Sequence, residues 1–262
     1  METAHWIETL RTEGARMTAA ARAVSADSPV PTCPEWVARD LIRHQGGVHR
    51  WATSFVADAR TEPPSATLEE VAGGWPGDEE LGDWFEAGYL ALLRALEAAP
   101  PDLQCWTFLP APSALAFWSR RQAHETSIHR VDAELTAGRS AGQLSSIRPE
   151  FAADGVDELL VGFMPLRSAK LRADEPVSLA FRCTDVEGSW VLAIGPEGAV
   201  ARAEAGPGQV VGEAAACSVS GPATNLYLAL WNRGAYETLE IEGDRAVLDR
   251  VGDAMGLHWT DD

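Results

Sequence analysis

Lysine is almost missing from this sequence. Lys170 is the only one in 262 residues, and arginine supplies nearly all the positive charge, a bias that fits a GC-rich coding sequence. Lysine and arginine together number 21 against 39 acidic residues, a formal net charge of −18. An acidic chain of this kind repels phosphate backbones and anionic headgroups, so neither nucleic acid nor a membrane surface is an expected partner. Long apolar runs are missing too, and nothing approaches the ~18 residues of a membrane span. The opening stretch METAHWIETL is acidic and amphipathic. A secretory signal is basic and then apolar, so the expectation is a cytoplasmic protein. Cysteine is sparse: Cys33, Cys105, Cys183 and Cys217 match neither a C-x-x-C redox pair nor a zinc ribbon. Reduced thiols are expected, not a disulfide framework. There is no G-x-S-x-G, no Walker loop and no G-x-G-x-x-G after a strand. Serine-nucleophile, phosphate-loop and dinucleotide chemistry thus lose their usual signatures. Internal repeats and low-complexity tracts are absent as well.

The residues present are those of an ordinary globular protein, with 46% hydrophobic and 23% charged residues. The length suits one large or two modest domains. The first half reads as helices. Trp6, Leu10, Met17 and Val24 have helical spacing over about 3–24. P-T-C-P-E-W opens a second helix, with Pro34 suited to its first turn. Val37, Leu41, His44, Val48, Trp51 and Phe55 then step by 4, 3, 4, 3 and 4, an inward stripe with His44 at its centre. A Pro/Gly/acid-rich loop over about 59–78 follows. A third helix is expected over about 79–98, ended by Pro100 and Pro101. After a long loop holding Cys105, Trp106 and Phe108, a fourth helix is expected from about Ser113 to Ala137, closed by Gly138. Four amphipathic helices read as a bundle over 1–140. Residues 139–150 are small, polar and aperiodic, as at a boundary. Short strands are then expected over 176–183, 189–194, 198–203 and about 213–219, as in antiparallel hairpins. A helix over about 221–233, a strand near 237–242 and a helix near 243–255 complete a second domain, 150–262. The fold class is two-domain α+β.

Six histidines are present, four of them on the second and fourth helices. On the fourth, Trp118, Gln122, Glu125, His129, Asp132 and Thr136 recur at helical steps. Beside this polar face runs an apolar stripe that includes Phe117, Ile128, Val131 and Leu135, so the polar face borders the core. Glu125 and His129 are four apart and project one above the other. A carboxylate and an imidazole so placed can share a divalent metal, and bundles build metal sites from inward residues on facing helices. His44 is the obvious third ligand, and two histidines with one carboxylate leave positions open, as catalytic sites do. Each residue also has a plainer reading. His44 can be a satisfied core histidine, and Glu125 with His129 a helix-stabilising pair. His49 lies about 140° around the helix from His44, so it is not expected to join the same ion. His124 points about 100° away from Glu125 and competes for the third position or supports it from behind. His5 and His258, near the termini, are expected in solvent. Asp132 can accept a hydrogen bond from a ligand histidine. Gly46 and Gly47 inside a helix mark either tight helix packing or close approach of a ligand. Trp36 and Trp51 are expected to pack the core.

Two segments resemble a known family. P-T-C-P-E-W-V-A-R-D-L-I-R-H-Q-G-G-V-H-R-W, ending at Trp51, is similar to the second-helix signature of the mycothiol-dependent maleylpyruvate isomerase family. F-W-S-R-R-Q-A-H-E-T-S-I-H-R-V-D-A-E, from Phe117 to Glu134, is similar to its second signature. W-V-L-A-I-G-P-E-G, G-P-A-T-N-L-Y-L-A-L-W-N-R and I-E-G-D-R-A-V-L-D-R resemble its small C-terminal α+β domain, related to sterol-carrier folds. The resemblance implies a DinB-like four-helix bundle with a divalent metal, zinc foremost, on His44, Glu125 and His129. It also implies mycothiol as thiol cosubstrate and an electrophilic small molecule as its partner. The expected function is activation of that thiol for addition or S-transfer. The alternatives are maleylpyruvate cis–trans isomerisation itself and a non-catalytic metal or small-molecule binding protein. Arg121, on the ligand helix, and Arg233, ending L-W-N-R, are candidate catalytic cations for an anionic substrate, Arg233 coming from the second domain. The alternative for both is a salt bridge, and it weighs more on Arg121.

Overall fold

The computed structural model describes residues 1–63, 65–204 and 215–255. The chain divides into two compact units, Met1–Ser145 and Ser146–Asp262. The first is helical. Its long helices are α1 (Thr3–Ala21), α2 (Ala38–Asp58), α4 (Leu81–Ala98) and α5 (Ala114–Thr136), with a short α3 (Leu68–Ala72) between α2 and α4. α1 packs on α4 and α5, and α2 packs on the same two helices. The core is the apolar stripe of each helix, including Leu10, Met17, Leu41, Phe55, Phe85 and Leu92, all buried.

α5 is the axis of the unit. Eighteen of its 23 residues are buried, although eleven of those eighteen are polar or charged. Such a helix is stable only where its polar groups find partners. Arg130 shows how: its guanidinium donates to Glu13 of α1 at 2.6 Å and to Glu134 at 3.0 Å. Glu134 in turn accepts from the Ser145 amide at 2.8 Å. Ser113 caps the start of α5 through the Ala116 amide, and Gly138, at φ 82°, ends it as the sequence indicates.

Two local departures from the sequence reading have clear causes. Pro34 does not open α2, which begins at Ala38. Residues 29–37 instead close on themselves through Val30 N–H to Trp36 C=O (3.0 Å), Trp36 N–H to Cys33 C=O (2.8 Å) and a Pro29–Val37 bridge. The helix start is then held by Asp40, which accepts from the Val37 amide. The 59–78 loop also contains α3, begun by a Thr67–Glu70 capping box too short for periodicity to reveal. Gly46 is where α2 meets α4: a Cβ there would lie 2.1 Å from the Trp84 ring. Close helix packing therefore accounts for that glycine.

The second unit holds β1 (Val177–Cys183), β2 (Ser189–Gly195), β3 (Gly198–Ala203), β4 (Cys217–Gly221) and β5 (Glu240–Gly243) in the order β3-β2-β1-β4-β5. The pairs β1/β2 and β2/β3 are antiparallel, as their short hairpin turns demand, and β4/β5 is antiparallel across a connection that contains α8. β1 and β4 are parallel, with Leu179 opposite Cys217, so the sheet is mixed rather than purely antiparallel. Leu179, Phe181, Trp190, Leu192 and Val219 share its apolar face. α8 (Ala223–Leu230) packs on β1, β4 and α6 (Pro149–Asp157). A π-helical segment, Glu158–Phe163, continues α6 into α7 (Met164–Arg167), and α9 (Arg245–Met255) follows β5. The helical stretch from Pro149 has no counterpart in the sequence reading, although Pro149 is a good first-turn residue and Phe151, Leu159 and Phe163 have helical spacing. Gly155, Gly162 and Pro165 dilute that pattern. Residues 213–214 of the expected fourth strand lie outside the described residues, as does His258.

Candidate metal centre

α2 and α5 bring His44, Glu125 and His129 together. One donor atom from each lies within 4.8 Å of the others, and among the described residues no other group of three ligating side chains does so. Glu125 Oε1 is 3.5 Å from His44 Nε2 and 3.4 Å from His129 Nε2. A charge-assisted hydrogen bond would be about 2.7–2.9 Å. An ion about 2.0–2.1 Å from each donor in tetrahedral geometry separates its ligands by about 3.3 Å. The two separations from Glu125 are therefore closer to those of ligands sharing an ion than to direct charge-assisted bonds. The donor set, two imidazoles and one carboxylate, suits zinc and other first-row divalent ions.

Each ligand on α5 is fixed by a further contact. Glu125 Oε2 accepts from the buried Arg121 guanidinium at 2.5 Å. His129 Nδ1–H donates to Asp132 Oδ2 at 2.9 Å, and the Thr32 hydroxyl donates to Asp132 Oδ1 at 2.5 Å. With its proton on Nδ1 for this bond, His129 would offer Nε2, the atom nearer Glu125, to an ion. Burial pushes the Glu125 carboxyl up, but Arg121 and the two imidazoles outweigh it and hold it well below the usual carboxylate range. Burial lowers the His129 imidazole, while Asp132 and Glu125 raise it, and the net direction is up. Trp36 lies over both rings, its centroid 4.9 Å from His44 and 6.0 Å from His129. It was expected in the core; the 29–37 loop places it on the cluster instead. Trp51 does pack in an aromatic group with Phe55, Trp106 and Trp118.

His49 stays apart from the trio, as its angle on α2 requires. Its Nε2 sits 2.8 Å from the Gln45 amide nitrogen and 2.8 Å from the Thr126 hydroxyl. Full burial, with Arg50 adding to it, lowers its pKa to about 3, so the ring is neutral. His124 is buried on α5 outside the trio, and His5 is exposed. Arg233, on the second unit, is 8% exposed and donates to the Trp231 carbonyl at 2.8 Å. Cys33 and Cys105 are half-buried and Cys183 and Cys217 buried, and none of the four is in a disulfide. Thr32 is a contributor that sequence reasoning missed; it lies 100 residues from Asp132, and no spacing rule links them.

The class is now defined: a two-domain α+β protein whose helical unit carries a buried imidazole–carboxylate cluster of metal-ligating composition. The family description "mycothiol maleylpyruvate isomerase N-terminal domain" matches residues 7–134, and "MDMPI C-terminal domain" matches residues 150–250. The chain belongs to the mycothiol maleylpyruvate isomerase family. Two solved structures are similar in fold. The crystal structure of the mycothiol-dependent maleylpyruvate isomerase shares 15% identity at a TM-score of 0.59, over 92% of this chain and 93% of that one. A histidine-to-alanine mutant of that enzyme shares 14% identity at the same TM-score and coverage. No curated protein sequence matches the chain.

Proposed function

We propose that this chain is a metal-dependent enzyme that activates a low-molecular-weight thiol, mycothiol foremost, for addition or S-transfer to an electrophilic small molecule. The observation that carries this reading is the His44–Glu125–His129 geometry, with donor spacing suited to one divalent ion. Membership of a family named for mycothiol supports the choice of thiol. A free thiol has a pKa near 8.5; a bound divalent ion, zinc foremost, lowers it so that the nucleophilic thiolate is present at neutral pH. The protein's own residues do the rest. His44, Glu125 and His129 hold three positions and leave room for a sulfur ligand. Asp132, held by Thr32, keeps the His129 lone pair aimed at the centre. Trp36 covers the imidazoles and limits water around them. Arg121 is already engaged with Glu125 and does not supply the counter-charge for an anionic electrophile in this reading.

A second reading, cis–trans isomerisation of maleylpyruvate, is favoured by the family and by a fold similar to that isomerase over most of both chains. One experiment tests both. Zinc-loaded protein is given mycothiol in sub-stoichiometric amount with maleylpyruvate, and in excess with a panel of electrophiles, while free thiol and product are followed. An isomerase turns over many times and returns its thiol; a transferase consumes one thiol per product. A stable thiol complex without turnover on any electrophile would defeat both readings and leave a binding protein.

A further inference from the structure

We propose that Arg121 is a positioning residue that restricts Glu125 to ligation through a single oxygen. The inference rests on the metal reading above. The two oxygens of Glu125 face different partners. Oε1 lies 3.5 and 3.4 Å from the Nε2 atoms of His44 and His129, and Oε2 is 2.5 Å from Arg121. Arg121 lies one helical turn before Glu125, so the two side chains share a face of α5. Its side chain is only 3% exposed. An ion pair this buried is screened little by water, so separating the two groups is costly. The hydrogen bond is also directional, because the planar fork fixes where the accepting oxygen must sit. Turning the carboxylate to present both oxygens to an ion would pull Oε2 away from the direction in which the fork holds it.

The consequence is chemical. A carboxylate ligating through both oxygens would take a coordination position that the thiol sulfur needs. Held by Arg121, Glu125 supplies one donor, and the centre has three protein ligands with an open position. The two ligands on α5 are thus braced from opposite ends. Arg121 lies one turn before Glu125, and Asp132 lies about one turn after His129.

Cobalt(II) is the probe, added to full-length protein stripped with a chelator, because its visible absorption is intense with four ligands and weak with five or six. The wild type should show the intense four-coordinate spectrum. Arg121→Gln, which removes the charge, should shift the spectrum toward the weaker five-coordinate form. Its zinc affinity, read by competition with a chromophoric chelator, should fall about 10–100-fold. If Arg121→Gln does not fold, Arg121→Lys is read the same way, since its single ammonium reaches less far and leaves Oε2 unheld. A variant with an unchanged cobalt spectrum and zinc affinity within two-fold of wild type would overturn the role of Arg121 alone. A wild type that binds no cobalt would overturn the metal reading and this inference with it.

Discussion

Replacing His49 with glutamine should change how the stability of this protein depends on pH, by an amount set by the burial of one ring. His49 is fully buried between Gln45, Thr126, Phe85 and Tyr89, and its pKa falls from 6.5 to about 3. The folded pKa of this base is depressed, so the unfolded chain takes up the proton near pH 6.5 while the native state resists it down to about pH 3. Stability is therefore lost as the pH falls below 6.5, by about 1.4 kcal/mol per unit once well below it. Between pH 7 and pH 5 the wild type should lose about 2 kcal/mol on this account. His49→Gln carries no titrating group at that position. At pH 7 it should be less stable than wild type by about 1–3 kcal/mol, from lost hydrogen bonds in the interior. The gap should narrow by about 2 kcal/mol at pH 5. Urea unfolding at both pH values, with chelator present to keep metal out of the comparison, measures it. A gap that stays constant across that range would refute the claim that His49 is buried and neutral.

Other consequences can be checked with single substitutions. Gly46→Ala sets a Cβ 2.1 Å from the Trp84 ring. Overpacking of about 1–3 kcal/mol should exceed the roughly 1 kcal/mol gained in helix propensity, so urea unfolding should show a net loss; a more stable variant would contradict the packing described. Asp132→Asn removes the carboxylate behind His129 and should weaken zinc binding about 10–100-fold in a chelator competition; unchanged affinity would show that the His129 orientation has another source. Phe55→Ala empties a fully buried position stacked on Trp118 and should cost about 3–5 kcal/mol in unfolding free energy.

Much of this was legible because helical periodicity reports burial. The stripe through Leu41, His44, Val48 and Phe55 and the Glu125–His129 pair both follow from 3.6 residues per turn, and the structure brings these residues together. What periodicity could not show was the depth of α5. Its polar face looked like a border of the core, yet the helix is buried almost all round because Glu13, on a different helix, meets Arg130. Such long-range pairing leaves no local mark. The same holds for Thr32, whose contact with Asp132 depends on how the 29–37 loop closes. That loop also explains Trp36. An aromatic residue at a helix start reads as core, but here the helix begins two residues later and the ring is left against the imidazoles. In the second unit, strand alternation was readable, whereas the parallel β1/β4 pairing depends on topology rather than on local pattern.

The central claim is that His44, Glu125 and His129 hold one divalent ion. Elemental mass spectrometry on tag-free protein tests it most directly, with wild type and His44→Ala compared after incubation with zinc and dialysis. The account predicts about one ion per wild-type chain and its loss in His44→Ala. A wild type that retains no ion, or a His44→Ala variant that retains as much as wild type, would contradict it.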